Sequence, residues 1–220
     1  LGYWLLRGIS TGEGLDFIWG RALNSVYVSA IAAGVAVVAA LPVAILAVRY
    51  PGWISGAIDR VAYTGFALPG IVVALAVVFF GVTYAPALYQ TMGLLVFAYV
   101  VLFLPTALGA LRASLLQVNP RLEEAARSLG RKPLWVVATV TLPLIVPGIL
   151  AGASLVFLVT MKELPATLLL GPTGFQTLAT SIWSSASEAF FARAAASSLL
   201  LIAVASVPMA WILLRGRETS

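Results

Sequence analysis

Charged positions are bunched along this chain, and between the bunches run long stretches that carry none. Run length is the informative quantity, because a bilayer core about 30 Å thick needs roughly 20 apolar residues at about 1.5 Å of helical rise each. Ala22 to Val48, uncharged between Arg21 and Arg49, predicts a first crossing over 22–48. Val61 to Leu111 is uncharged but too long for one crossing. Gly81, Pro86, Gln90 and Gly93 interrupt it, so it predicts two helices, over 61–81 and 92–112, joined by a short turn. Two more crossings are expected over 143–162 and 193–214, the last ending at Arg215. The expected class is an all-α membrane protein with five crossings, preceded by an external or interfacial segment 1–21 and followed by a tail 215–220.

The stretch from Leu164 to Ser187 is also free of charge, yet it holds Pro165, Gly171, Pro172, Gly174 and many Ser and Thr residues. Irregular backbone at membrane depth needs protein or a water-filled cavity to satisfy its N–H and C=O groups. This segment is therefore either a loop outside the bilayer or a re-entrant piece lining a path. Pro42, Pro69, Pro105, Pro147 and Pro208 fall inside expected crossings and predict kinks.

Composition narrows the chemistry. Of 220 residues, 61% are hydrophobic and 10% charged, where soluble domains carry about 25% charged. There is no Cys and no His, which removes thiolate and imidazole chemistry: zinc sites of the usual kind, Cys nucleophiles, Ser-His-Asp triads and disulfide frameworks. The net charge of +5 is accounted for by orientation. If the connection after the third crossing is cytoplasmic, Arg49, Arg60, Arg112, Arg121, Arg127, Arg131, Lys132, Arg215 and Arg217 lie on that side and only Arg7, Arg21, Lys162 and Arg193 opposite. No basic patch interleaved with aromatics points to nucleic acid. Trp4, Trp19, Trp53, Trp183 and Trp211 stand near expected crossing ends as interfacial anchors. The chain opens at Leu1 without a basic leader, and is expected to be a piece of a longer protein.

The connection over 113–142 carries the most specific pattern. Asn119 is a good helix cap, Pro120 suits a first turn and Gly130 a stop. Between them Leu122, Ala125, Ala126 and Leu129 form an apolar stripe, with Arg121, Glu123, Glu124, Arg127 and Ser128 expected on the reverse face. The stripe could rest on the chain's own helix ends or in the lipid interface. The acidic pair Glu123 and Glu124 suits an anionic leaflet poorly, and the two Ala residues allow close approach, so the groove of a partner protein fits better.

These residues also carry a family resemblance. Glu124-Ala125-Ala126, three residues, Gly130, nine residues, then Val140-Thr141-Leu142-Pro143 resembles the EAA signature of permease subunits of ABC importers. Ala67 to Leu75, Phe103-Leu104-Pro105 and Met161 to Leu170 resemble the second half of ferric-iron ABC permeases. The resemblance implies that 119–131 is a coupling helix docked on an ATPase subunit through Leu122, Glu123, Glu124, Ala125, Ala126, Leu129, Gly130, Leu142 and Pro143. The implied partners are two ABC ATPase subunits, another permease half or second permease subunit, and a periplasmic or extracellular solute-binding protein. The implied setting is a bacterial-type inner membrane, with ferric iron as cargo and thiamine, phosphonate, sulfate or a polyamine as alternatives. No cofactor is expected.

No Gly-x-x-x-x-Gly-Lys-Ser/Thr occurs in the chain, so hydrolysis of ATP is expected in another subunit, and the chain is not expected to be an enzyme. Lys162 and Glu163, at the end of the fourth expected crossing, either line a translocation path or mark the water interface. In the first case Thr167, Thr173, Gln176 and Thr177 would add polar lining. A secondary transporter is the competing class, but the sequence has no internal repeat and few acids at midplane.

Overall fold

The computed structural model describes residues 1–4 and 17–218, with side chains described for 1–4, 18–208 and 210. Most of the expected segment 1–21, the side chains of Arg7, Trp211, Arg215 and Arg217, and residues 219–220 of the expected tail lie outside that description.

Among the described residues the chain is helical throughout, with no strand. The helices are α1 (Phe17–Arg49), α2 (Trp53–Ala67), α3 (Gly70–Tyr84), α4 (Met92–Gln117), α5 (Pro120–Ser128), α6 (Pro133–Val136), α7 (Leu142–Met161), α8 (Pro165–Leu170), α9 (Leu178–Ser187) and α10 (Phe191–Glu218). A π-helical stretch, Val137–Thr141, joins α6 to α7 without a break in direction, so Pro133–Met161 is one long rod. Four of these rods are long and apolar enough to cross a membrane: Ile18–Arg49, Met92–Gln117, Pro133–Met161 and Phe191–Pro208.

The expected second crossing, 61–81, takes a different form. Its residues belong to two helices, α2 and α3, which meet at an angle of 109°. The cause is local. Pro69 removes a backbone donor and pushes its predecessor out of the helical region, and Leu68 sits at φ −106°, ψ 139°. Pro42, Pro105, Pro147 and Pro208 stay inside continuing helices. At Pro69 the following Gly70 starts a new helix instead. The pair counts as one crossing only if a bent span is accepted.

The centre is built from α1, α4 and α7, each packed on the other two. On α1, Ala32, Ala36, Ala40 and Ala44 recur every fourth residue and are fully buried; Ala36, Ala40 and Ala44 share a core with Leu108, Leu111 and Leu115 of α4, and Ala32 with Leu95, Ala98 and Tyr99. Between α4 and α7 the approach is closer still: a Cβ added at Gly148 would lie 2.2 Å from the Cβ of Ser114. Gly34 of α1, by contrast, has open space around it.

The stretch 164–187 folds onto the bundle. Short α8 and α9 flank a turn, and Leu178, Thr180 and Ser181 are buried against α1 and α10. Its backbone groups are satisfied by protein: Ser25 Oγ accepts the N–H of Leu178 at 2.8 Å, and Asn24 Nδ2 donates to the carbonyl of Gln176 at 3.0 Å.

Replacing Gly148 by Val is expected to force α4 and α7 apart and lower stability by about 1–3 kcal/mol. Thermal unfolding of the detergent-solubilised protein should show it, with Gly34→Val close to neutral.

Candidate functional site

Helix α5 is defined by its ends. The Asn119 side chain accepts the N–H of Arg121 at 3.0 Å, and Pro120 occupies the first turn. At the other end Gly130 has φ +79°, a conformation that side chains rarely adopt. The N–H of Gly130 donates to Arg127 O at 2.9 Å and that of Arg131 to Ala126 O at 3.3 Å. Together these form the paired bonds of a Schellman stop.

The inward side of this helix corrects the sequence reading. Glu123, expected on the solvated face, is 5% exposed. Its Oε1 accepts from Arg49 Nε at 2.9 Å and from Thr141 Oγ1 at 3.0 Å, and Arg49 Nη2 donates to Val118 O at 3.0 Å. One carboxylate thus joins the last residue of α1, the end of α4, α5 and the start of α7. A carboxylate is tolerated there because a guanidinium and a hydroxyl both bond it.

With Glu123 turned inward, the apolar stripe turns outward. Leu122 is 50% exposed and Leu129 82%, with Ala125 exposed between them and Ala126 half-buried. Nothing in the described chain covers Leu129. Glu124 is exposed as well. Leu142 is half-buried in the core around Leu115, and Pro143 is exposed at the start of α7.

The residues expected along a path do not form one lining. Lys162 is exposed. Glu163 is half-buried, and its Oε1 accepts the N–H of Ala166 at 3.2 Å. A Cβ built on Gly70 would stand 3.7 Å from that oxygen and 3.9 Å from Leu102 of α4. Leu102 lies ten residues beyond Met92, about 15 Å along α4, so Glu163 is set well inside the bundle, beside the start of α3. Thr167 is buried and fully engaged: its hydroxyl donates to Glu163 O at 2.7 Å and accepts from Tyr99 OH at 2.6 Å. Thr177 is consumed by the capping of α9 and Thr173 is exposed. Gln176, exposed, belongs to a separate cavity of about 210 Å³ that it shares with Arg21, Ser184, Ser185, Glu188 and Arg193. Arg21 also donates to Ser181. This cavity lies at the end of α1 opposite Arg49.

Arg49, Thr141, Tyr99, Arg21, Glu188 and Arg193 were not singled out by the sequence as site residues. Arg49 and Glu123 are 74 positions apart, and no local spacing relates them. The available signal was weak: Arg49 is a charge at the margin of an apolar run, and Glu123 is one of two adjacent acids in a polar connection.

Removing one partner of the Arg49–Glu123 pair is expected to cost about 3 kcal/mol, because it strands a charge that is below 10% exposed. Arg49→Met combined with Glu123→Met should be less damaging than either alone, measured by denaturation in a double-mutant cycle.

Comparison with known proteins places these features. The profile of a family described as binding-protein-dependent transport system inner membrane component matches residues 33–215. The Fe(3+)-transport system permease protein FbpB 2 of Haemophilus influenzae is 41% identical over 209 residues, covering 94% of this chain and 41% of that protein. A 2-aminoethylphosphonate transport system permease protein, PhnU, of Salmonella choleraesuis is 31% identical over 164 residues, covering 67% of this chain and 56% of that protein. The chain therefore spans about two-fifths to just over half the length of these relatives. The MetNI methionine ABC transporter, solved in inward-facing conformations, matches with a TM-score of 0.67 at 17% identity, over 99% of this chain and 97% of that chain. That last likeness is one of fold.

Proposed function

This chain belongs to the binding-protein-dependent transport system inner membrane component family, and from that membership we propose that it is the membrane-spanning permease part of an ATP-driven ABC importer. Its fold is that of an ABC importer permease, and it is a multi-pass membrane protein. Helix α5 is the coupling helix. It faces the cytoplasm and lies in a cleft of an ATPase subunit through Leu122, Glu124, Ala125, Leu129 and the Gly130 turn. Hydrolysis resides in two such subunits, and a second permease half and an external solute-binding protein complete the assembly in a bacterial-type inner membrane.

One observation carries the coupling role: the apolar stripe of α5 faces away from its own bundle, while Glu123 on the opposite side is bonded into it. A helix fastened on one side and apolar on the other is suited to transmit force. Inverting a two-state equilibrium from 1:99 to 99:1 takes about 5.5 kcal/mol of differential binding, and a loosely tethered helix would dissipate it. Movement of α5 reaches α1, α4 and α7 at once through Glu123 and Arg49.

Ferric iron is the proposed cargo, supported by the 41% identity to a permease named for Fe(3+) transport. A phosphonate is the second reading. It is favoured by the relative named for 2-aminoethylphosphonate and by the cavity holding Arg21, Arg193 and Glu188, whose charges of both signs suit a zwitterion. Lys162 and Glu163 are the remaining path candidates.

In the reconstituted assembly, Leu122→Asp with Leu129→Asp is expected to lower transport at least ten-fold while the permease folds normally, and ATPase subunits should no longer co-purify. Retained co-purification would remove α5 from the interface. Which solute-loaded binding protein stimulates ATPase activity decides the cargo: a ferric-loaded one is expected, and stimulation by 2-aminoethylphosphonate alone would replace iron.

A further inference from the structure

A groove runs along the outside of the bundle where the α5 end of α1 passes α6. Val38, Leu41 and Ile45 of α1 and Tyr50 just beyond it form one wall, and Leu134 and Val137 the other. The groove encloses about 430 Å³ and is apolar along its length. Neither wall has a helix packed across it among the described residues.

Its dimensions decide what it can hold. From Val38 to Tyr50 is twelve residues of helix, or about 18 Å, close to the roughly 15 Å depth of one bilayer leaflet. The apolar lining and that length suit an extended hydrocarbon chain.

The charge at its mouth points the same way. Tyr50 closes the α5 end, where its hydroxyl accepts from Arg127 Nη2 at 2.7 Å and its ring lies 5.8 Å from the Arg127 guanidinium carbon. The Nε of Arg127 is buried and has no hydrogen-bond partner in the structure. Arg131, stacked over Trp135 at 4.3 Å, and Lys132 precede the residues of the second wall. The nearby acids on α5 are Glu123, already bonded to Arg49 and Thr141, and Glu124, which is exposed. Arg127 on Tyr50, and Lys132 next in the chain to Pro133 of the lining, put basic residues at the end of the apolar slot.

We propose that this groove is a binding site for one anionic phospholipid, with an acyl chain laid along α1 and the phosphate held by Arg127, Arg131 and Lys132. Basic pockets at the ends of membrane helices recognise anionic headgroups in this way. The lipid would touch α1 and the segment that follows α5 together, so the composition of the leaflet would bear on how firmly α5 is seated. The site is independent of the cargo, and its test fails or succeeds separately from that of transport.

The full-length assembly, released into detergent and offered phosphatidylglycerol or phosphatidylcholine, is expected in native mass spectrometry to retain one phosphatidylglycerol per groove. The preference over phosphatidylcholine should be at least five-fold, since a basic residue near a membrane surface contributes about 1 kcal/mol. Arg127→Gln should reduce retention about five-fold and Ile45→Trp, which fills the slot, should abolish it, with Arg121→Gln as the unaffected control. A photo-reactive residue at Leu41 in otherwise unaltered protein should acquire an adduct of lipid mass. Equal retention of the two lipids, retention unchanged by Ile45→Trp, or an adduct to polypeptide at Leu41 would overturn the assignment; the last would make the groove a protein contact. If Arg127→Gln fails to assemble, the Leu41 adduct decides.

Discussion

A single buried ion pair organises one end of this molecule. Arg49 closes α1, and its guanidinium reaches both the end of α4, through Val118 O, and the carboxylate of Glu123 on α5, which in turn holds Thr141 before α7. Four elements, α1 distant in sequence from the other three, meet on one carboxylate and one guanidinium. Such a pair adds little to net stability, because desolvation offsets most of the attraction. Its value is in geometry: it allows one rotational setting of α5, and every other setting would bury an uncompensated charge. That setting turns Leu122 and Leu129 outward.

The rest of the bundle makes this connection stiff. The alanine ridge of α1 and the Gly148–Ser114 contact bring α1, α4 and α7 together with little room for side-chain rearrangement. Close-packed rods move as bodies. A displacement applied to α5 therefore reaches the opposite end, some 28 residues and about 42 Å along α1 from Arg49 to Arg21, as a tilt of helices and not as a local dent. The short helices α8 and α9 are less regular, and they lie towards that far end. There the polar groups of irregular backbone are met by protein partners, as the hydrophobic interior demands.

Polar side chains at depth separate into two kinds. Thr167, Tyr99 and Thr177 spend their hydrogen bonds inside the structure, and they hold α8 and α9 in place. Glu163 sits between the starts of α3 and α8, where the helix termini favour a negative charge. Arg21, Glu188 and Arg193 share an open cavity with Gln176. Fixing a segment and meeting a solute are different tasks, and the residue types alone do not distinguish them.

Run length and motif spacing in the sequence determined the all-α membrane class, the long helices around 22–48, 92–112, 143–162 and 193–214, and both ends of α5. These are local properties: hydrophobic extent, a capping side chain at Asn119, a glycine at 130. Three matters were decided only by tertiary structure. The proline at 69 breaks its helix where four other prolines merely ride within theirs, because Gly70 can begin a new helix that packs beside Leu102. Thr167 and Gln176 look alike as polar lining until packing buries one and opens the other. Glu123 and Glu124 are neighbours with the same chemistry, yet one is an internal anchor and the other faces outward. What separates them is Arg49, 74 positions away, whose distance in the chain is erased only when α1 and α5 are folded side by side.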